Sequence, residues 1–115
     1  FLGPKPHHEL PGYVQHWEVA MLPFHDNAQI RACNPLKLRE YLASGTAVVS
    51  TNFPALTPYK DLLTVANTLD EFSQALDASR GHNTDKQSAQ KARVSTESCD
   101  ARCQDAIEWI SQCKN

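Results

Sequence analysis

Three short apolar runs, separated by segments with helical spacing, constrain this chain more than any other feature. Val19-Ala20-Met21-Leu22 is closed by Pro23. Ala47-Val48-Val49-Ser50-Thr51 leads into a loop or short turn of helix bounded by Pro54 and Pro58. Leu62-Leu63-Thr64-Val65-Ala66 is the third run. Continuous apolar runs of this length fit strands buried on both faces, as in a parallel sheet. Between the first two runs the pattern predicts a helix from about Pro35 to Ser44. Leu38, Tyr41 and Leu42 form its apolar side and Gly45 its C-terminal stop. After the third run, Thr68 caps a helix with Asp70 and Glu71 in its first turn and Phe72, Ala75 and Leu76 on one face; Gly81-His82-Asn83 breaks it. Strands alternating with helices make a βαβ pattern, hence an α/β fold with a parallel sheet. Ligands of such sheets bind outside the carboxyl ends of the strands.

The flanks complete this outline. Phe1-Leu2 reads as the tail of a further strand running into the Gly3-Pro4 loop. Leu10, Tyr13, Val14 and Trp17 share helical spacing and predict a short helix over His8–Trp17. Residues 85 to 114 read as helical, interrupted near Ser95-Thr96. The organisation expected is a partial Rossmann-like domain over residues 1–80 and a C-terminal helical segment over 81–115 packed on it. An apolar pair followed at once by Gly-Pro, with no initiator methionine, reads as a piece cut from a longer protein.

Charge removes some function classes. With 11 basic and 13 acidic side chains the net charge is −2, which gives no support to nucleic-acid binding or electrostatic membrane attachment. No apolar run approaches the roughly 18 residues that span a bilayer, and none resembles a signal peptide. Cys99 and Cys103 are four apart and, with Ala106, Ile110 and Cys113, form a helical stripe. The stripe predicts buried free thiols rather than a metal site. His7, His8, His16 and His25 fit no zinc-ligand spacing and read as surface histidines. Trp17 and Trp109 are expected to pack.

The stretch Asn34-Pro35-Leu36-Lys37-Leu38-Arg39-Glu40 carries the chemistry. Its helix begins at the carboxyl edge of the sheet. First-turn N–H groups there lack partners within the helix, and the macrodipole is positive, so the end suits a phosphate. Lys37 adds a full positive charge. Glu40, three residues on, shares its face and can accept hydrogen bonds from ribose hydroxyls. The plainer alternative is an i,i+3 ion pair between Lys37 and Glu40, worth roughly 0.2–0.5 kcal/mol. Arg39 reads as solvated or in a structural salt bridge, and Asn34 as the helix cap. His25 and Asp26, just after a strand end, are candidates to touch a ligand.

On these residues the sequence resembles a family. The pattern N-P-L-K-L-R-E-Y-L-A-S-G-T-A-V-V-S-T, preceded by V-A-M-L-P-F, is similar to the C-terminal donor-binding domain of GT-B fold glycosyltransferases. The likeness is to the bacterial family 4-like (group 1) enzymes that build surface polysaccharides. The opening F-L-G-P-K-P-H-H-E-L-P-G-Y, the F-S-Q-A-L helix and the segment R-V-S-T-E-S-C-D-A-R are similar as well. The resemblance implies the C-terminal half of a GT-B fold lacking its first βα units. It implies transfer of a sugar from a nucleoside-diphosphate sugar, with that donor as substrate and no cofactor; the histidine and cysteine spacing gives no metal site. Glu40 would hold the ribose, the N–H groups of Leu36 and Lys37 the diphosphate, and the Gly3-Pro4-Lys5 loop the base. Asn34 and Pro35 open the same binding helix. A second glutamate that many members carry eight positions earlier is Ala32 here, so the paired-glutamate signature is absent and no catalytic residue is assigned. The implied partner is the acceptor-binding N-terminal half of the same enzyme. The implied location is the cytoplasm, with the parent enzyme able to reach the inner membrane face. A sugar-nucleotide epimerase of the same fold and a non-catalytic α/β binding module are the competing readings.

Overall fold

The computed structural model describes residues 2–80 and 84–113. Three strands, β1 (Val19–Leu22), β2 (Ala47–Thr51) and β3 (Thr64–Ala66), form one parallel sheet in the order β1-β2-β3. Ala20 pairs with Val48 and Leu22 with Ser50, while Ser50 pairs with Val65 on the other side. Parallel neighbours need a long crossover. Between β1 and β2 it holds α2 (Ala28–Arg31) and α3 (Leu36–Ser44), and between β2 and β3 a 3₁₀ segment (Pro54–Tyr59). α1 (Leu10–Val14) precedes the sheet, and α4 (Leu69–Ala78), α5 (Thr84–Ser95) and α6 (Cys99–Gln112) follow it.

The period-2 alternation of strand side chains divides the packing into two layers. Ala20, Leu22 and Val48 meet Leu38 and Leu42 of α3, together with Phe53, Leu56, Tyr59, Leu62 and Leu63 from the β2–β3 crossover, in one buried cluster. On the other face Val49 is fully buried, and α4 lies against β2 and β3. β1 is therefore not buried on both faces as its apolar run suggests: Met21 points to the second face and is 55% exposed. Gly45 ends α3 in the left-handed conformation (φ 77°), as the sequence predicts. The Thr68 hydroxyl accepts from Glu71 N–H at 3.2 Å while the Glu71 carboxylate accepts from Asn67 N–H at 2.7 Å, so the acidic first turn closes a reciprocal cap. Buried side-chain bonds tie the ends together. Thr46 Oγ1 donates to the Val14 carbonyl at 2.9 Å, and Gln90 Nε2 donates from α5 to the Leu62 carbonyl at 2.7 Å.

Other expectations are corrected. Phe1 and the helix break at residues 81–83 lie outside the described residues, and Leu2 to Pro6 form no strand. The break between α5 and α6 falls at residues 96–98, close to where the sequence suggests it. The cysteine stripe is not core. Cys99, Cys103 and Cys113 are free and exposed, and Cys33 is free and half-buried. Ile107, Ile110 and Trp109 on the same helix are also exposed, so Trp109 does not pack, and Trp17 is 45% exposed with its ring edge-on to Tyr41. α5, by contrast, lies against α3. Among the described residues no helix is long and apolar enough to cross a membrane.

Candidate functional site

The carboxyl ends of β1 and β2 are fixed by hydroxyls and rings. Thr51 Oγ1 donates to the Phe24 carbonyl at 2.8 Å, and the Phe24 and Phe53 rings meet edge to face at 5.4 Å. These contacts hold the start of the loop after β1. The same loop contains α2, a single turn whose short polar sequence carries no helical periodicity. Asn27 caps it, accepting from Ile30 N–H at 2.9 Å, and Asp26 grips Arg31 through two bonds of 2.7 and 2.8 Å. The hydrogen bonds from Arg31 hold the Asp26 carboxyl below its ordinary value. That carboxylate is thus already engaged, while His25 is exposed.

The chain then turns into α3. Pro35, not Asn34, occupies the capping position, and it is buried. No side chain caps the helix, and the N–H groups of Leu36 and Lys37 meet no acceptor among the described residues. Leu36 is 65% exposed and Lys37 is exposed. Glu40 keeps 38% of its side chain in solvent, and its Oε1 lies 3.6 Å from His7 Nε2 rather than against Lys37. The short 3₁₀ turn His7–Glu9 is therefore brought beside α3, and the Glu40 side chain stays partly open to solvent. Gly3 turns this loop at φ 70°, in the left-handed region; Pro4 and Lys5 are exposed, and Lys5 Nζ sits 5.6 Å from the Tyr13 ring centroid. Lys5 leans on α1 in a cation–π contact.

Behind this face lies a polar tie that local sequence patterns do not reveal. Arg39 Nε donates to Glu97 Oε2 at 2.9 Å, Arg39 Nη1 donates to Asn34 Oδ1 at 2.9 Å, and the Tyr59 hydroxyl donates to the same Glu97 oxygen. Burial alone would raise the Glu97 carboxyl. The hydrogen bonds from Tyr59 and Arg39, with the positive charges of Arg39 and Arg102, bring it below its ordinary value. Burial and the bond to Glu97 push the Tyr59 phenol up. Arg39 is thus the structural salt bridge of the two readings, and its second arm holds the Asn34 side chain just ahead of α3. Residues 39 and 97 are 58 positions apart, and only tertiary structure joins them. Among the described residues no group of three or more His, Cys, Asp or Glu is set to hold a metal ion.

Comparison with known proteins gives one informative match. Over 53 residues the chain is 38% identical to a Bacillus subtilis (strain 168) protein whose name proposes a teichuronic acid biosynthesis glycosyltransferase, TuaH. The match takes in 46% of this chain and 13% of that protein, so the chain spans a small part of its relative. It supports a glycosyltransferase-like origin in general terms. No family model matches the chain. No solved structure matches it either.

Proposed function

We propose that this chain forms part of the donor-binding side of a GT-B, family 4-like glycosyltransferase that uses a nucleoside-diphosphate sugar. The observation that carries the reading is the uncapped start of α3, at the carboxyl edge of a parallel sheet, with a partly exposed Glu40 one turn behind it. In this role the N–H groups of Leu36 and Lys37 and the Lys37 ammonium take the diphosphate. Glu40 accepts from the ribose hydroxyls, exchanging its contact with His7 for them. The Gly3–Lys5 loop lies along the base, and Asn34 and Pro35 shape the entry. The contribution to the reaction is electrostatic. Helix-end amides and a cation stabilise the negative charge that grows on the departing nucleoside diphosphate. The acceptor comes from the N-terminal half of the enzyme, across a cleft that closes for chemistry. The relative's name places that protein in teichuronic acid biosynthesis, which supports a setting in glycan biosynthesis here.

Uridine and guanosine diphosphate titrated into the full-length protein test this reading. The expected result is saturable binding by one of them, weakened about tenfold or more in Glu40→Ala, in line with the loss of charge-assisted hydrogen bonds. Equal affinity in both proteins sinks the ribose role. Release of a free epimerised nucleotide sugar, in place of a glycoside, assigns the same site to an epimerase.

A further inference from the structure

Read from the sequence, His7 is a surface histidine; the fold gives it a particular neighbour. Pro6 sets its own φ at −59°, the Glu9 N–H donates to the Pro6 carbonyl at 3.0 Å, and the Leu10 N–H donates to the His7 carbonyl. His7 thus opens a short 3₁₀ turn that runs directly into α1. α1 is in turn fixed to the rest of the fold. Its last residue, Val14, is buried, and the Val14 carbonyl accepts from Thr46 Oγ1 at 2.9 Å. Trp17, just beyond, sets its ring edge-on to Tyr41 of α3 at 6.0 Å. Tyr41 follows Glu40 in the chain, and the same packing brings His7 to Glu40, with Nε2 and Oε1 3.6 Å apart. That distance exceeds a hydrogen bond, so neither atom satisfies the other. Both are open to a ligand: the His7 side chain is 85% exposed and that of Glu40 38%.

The chemistry of the two atoms selects what can lie across them. A carboxylate only accepts hydrogen bonds, so the group on Glu40 must be a donor. An imidazole nitrogen accepts or donates according to its tautomer, and a hydroxyl can meet it either way. A phosphate oxygen is repelled by the carboxylate and belongs instead toward Lys37, one turn nearer the start of α3. Two such atoms side by side, one from each of two elements, match two hydroxyls on neighbouring carbons. The donor reading above puts the ribose at Glu40, and the present inference rests on it. We propose that His7 is a second ribose ligand: Glu40 takes one hydroxyl of the 2′,3′-diol and His7 the other. The contact that Glu40 gives up for the sugar leaves the imidazole beside it, free to bond the adjacent hydroxyl. The order along the chain agrees, because His7 lies two residues after the Gly3–Lys5 loop assigned to the base. A sugar lacking either hydroxyl engages only one of the two side chains, so the pair selects ribonucleotides over their deoxy forms.

The test is calorimetric titration of the full-length protein with uridine and guanosine diphosphate, and with the 2′-deoxy and 3′-deoxy forms of whichever binds. In the parent protein each deoxy form is expected to bind about three- to tenfold more weakly, the scale of one lost hydrogen bond. His7→Ala is expected to weaken the ribose form to a similar degree. It is also expected to erase the penalty for one of the two deoxy forms, while the other keeps its penalty through Glu40. His7→Gln, which retains an amide able to hydrogen-bond, is expected to recover part of the affinity and of the discrimination. The His7 side chain is exposed, so neither variant opens the core, and unchanged circular dichroism checks this. The clamp is overturned, with the donor reading intact, if Glu40→Ala weakens binding while His7→Ala does not. A loss in His7→Ala that is equal for all three nucleotides overturns it as well, since that is the mark of a merely structural residue. It falls together with the donor reading if neither nucleotide binds or if Glu40→Ala leaves the affinity unchanged.

Discussion

Replacing Glu97 isolates the tie between α3 and the α5–α6 junction. One carboxylate oxygen accepts from both Arg39 Nε and the Tyr59 hydroxyl, and the Arg39 and Glu97 side chains are 16% and 19% exposed. Hydrogen bonds to a charged group are worth roughly 1.5–3 kcal/mol each. The two share an oxygen and partly meet solvent, so Glu97→Ala is expected to cost about 2–4 kcal/mol rather than the full sum. For a chain of this size each kcal/mol moves the melting temperature by about 4 °C, which predicts a drop of about 8–16 °C in calorimetry. The damage should also reach the candidate site, because Arg39 Nη1 positions Asn34 immediately before α3. Nucleotide affinity should therefore fall in Glu97→Ala although residue 97 touches no nucleotide.

The same tie has a pH signature with a definite sign. The Glu97 carboxyl is held below its ordinary value of 4.5 in the folded protein. Its contribution to stability is complete above that unfolded value and is lost as pH falls through the lower folded value. Glu97→Gln removes the titration and keeps the shape. The stability gap between the parent protein and Glu97→Gln, from urea unfolding, should stay constant from about pH 7 to about pH 5 and shrink below it. A gap independent of pH down to about pH 3, or a loss below about 0.5 kcal/mol in Glu97→Ala, refutes the reasoning.

Three further outcomes are expected. Gly45→Ala should destabilise by roughly 1–2 kcal/mol, because φ 77° is strained for any side chain; adding Lys91→Ala should relieve the close approach of the new Cβ to the Lys91 stem but not that backbone cost. Leu42→Ala, at a fully buried position between α3 and the sheet, should cost about 2–5 kcal/mol in chemical unfolding. In the native protein Cys99, Cys103 and Cys113 should react with a thiol reagent at once and Cys33 more slowly; protection of the first three would contradict the exposure of α6.

What could be read from the sequence was what is local. β1, β2, α3 and α4 were legible because each carries its own signal within or next to it: apolar spacing, the Gly45 stop of α3 and the Thr68 cap of α4. α6 shows the limit of that evidence. Its periodicity states which face seeks a partner but not whether one lies alongside, and Ile110 on that face is 60% exposed. Met21 fails for the same reason: an apolar strand residue is buried only where a helix covers it, and α4 lies over β2 and β3.

The candidate site divides along the same line. The place of Glu40 was legible, since its distance from the start of α3 is a matter of one helical turn. Glu97 was not, because it reaches Arg39 across 58 residues of chain. Yet the two glutamates depend on one element. Glu40 projects from α3 toward solvent and His7, while its neighbour Arg39 anchors α3 to Glu97 and to Asn34. A carboxylate offered to a ligand is effective only if its own helix does not move to meet solvent instead. Leu36, Lys37 and Glu40 are thus placed by one short stretch of α3, while the tie that holds α3 depends on a residue 58 positions from Arg39.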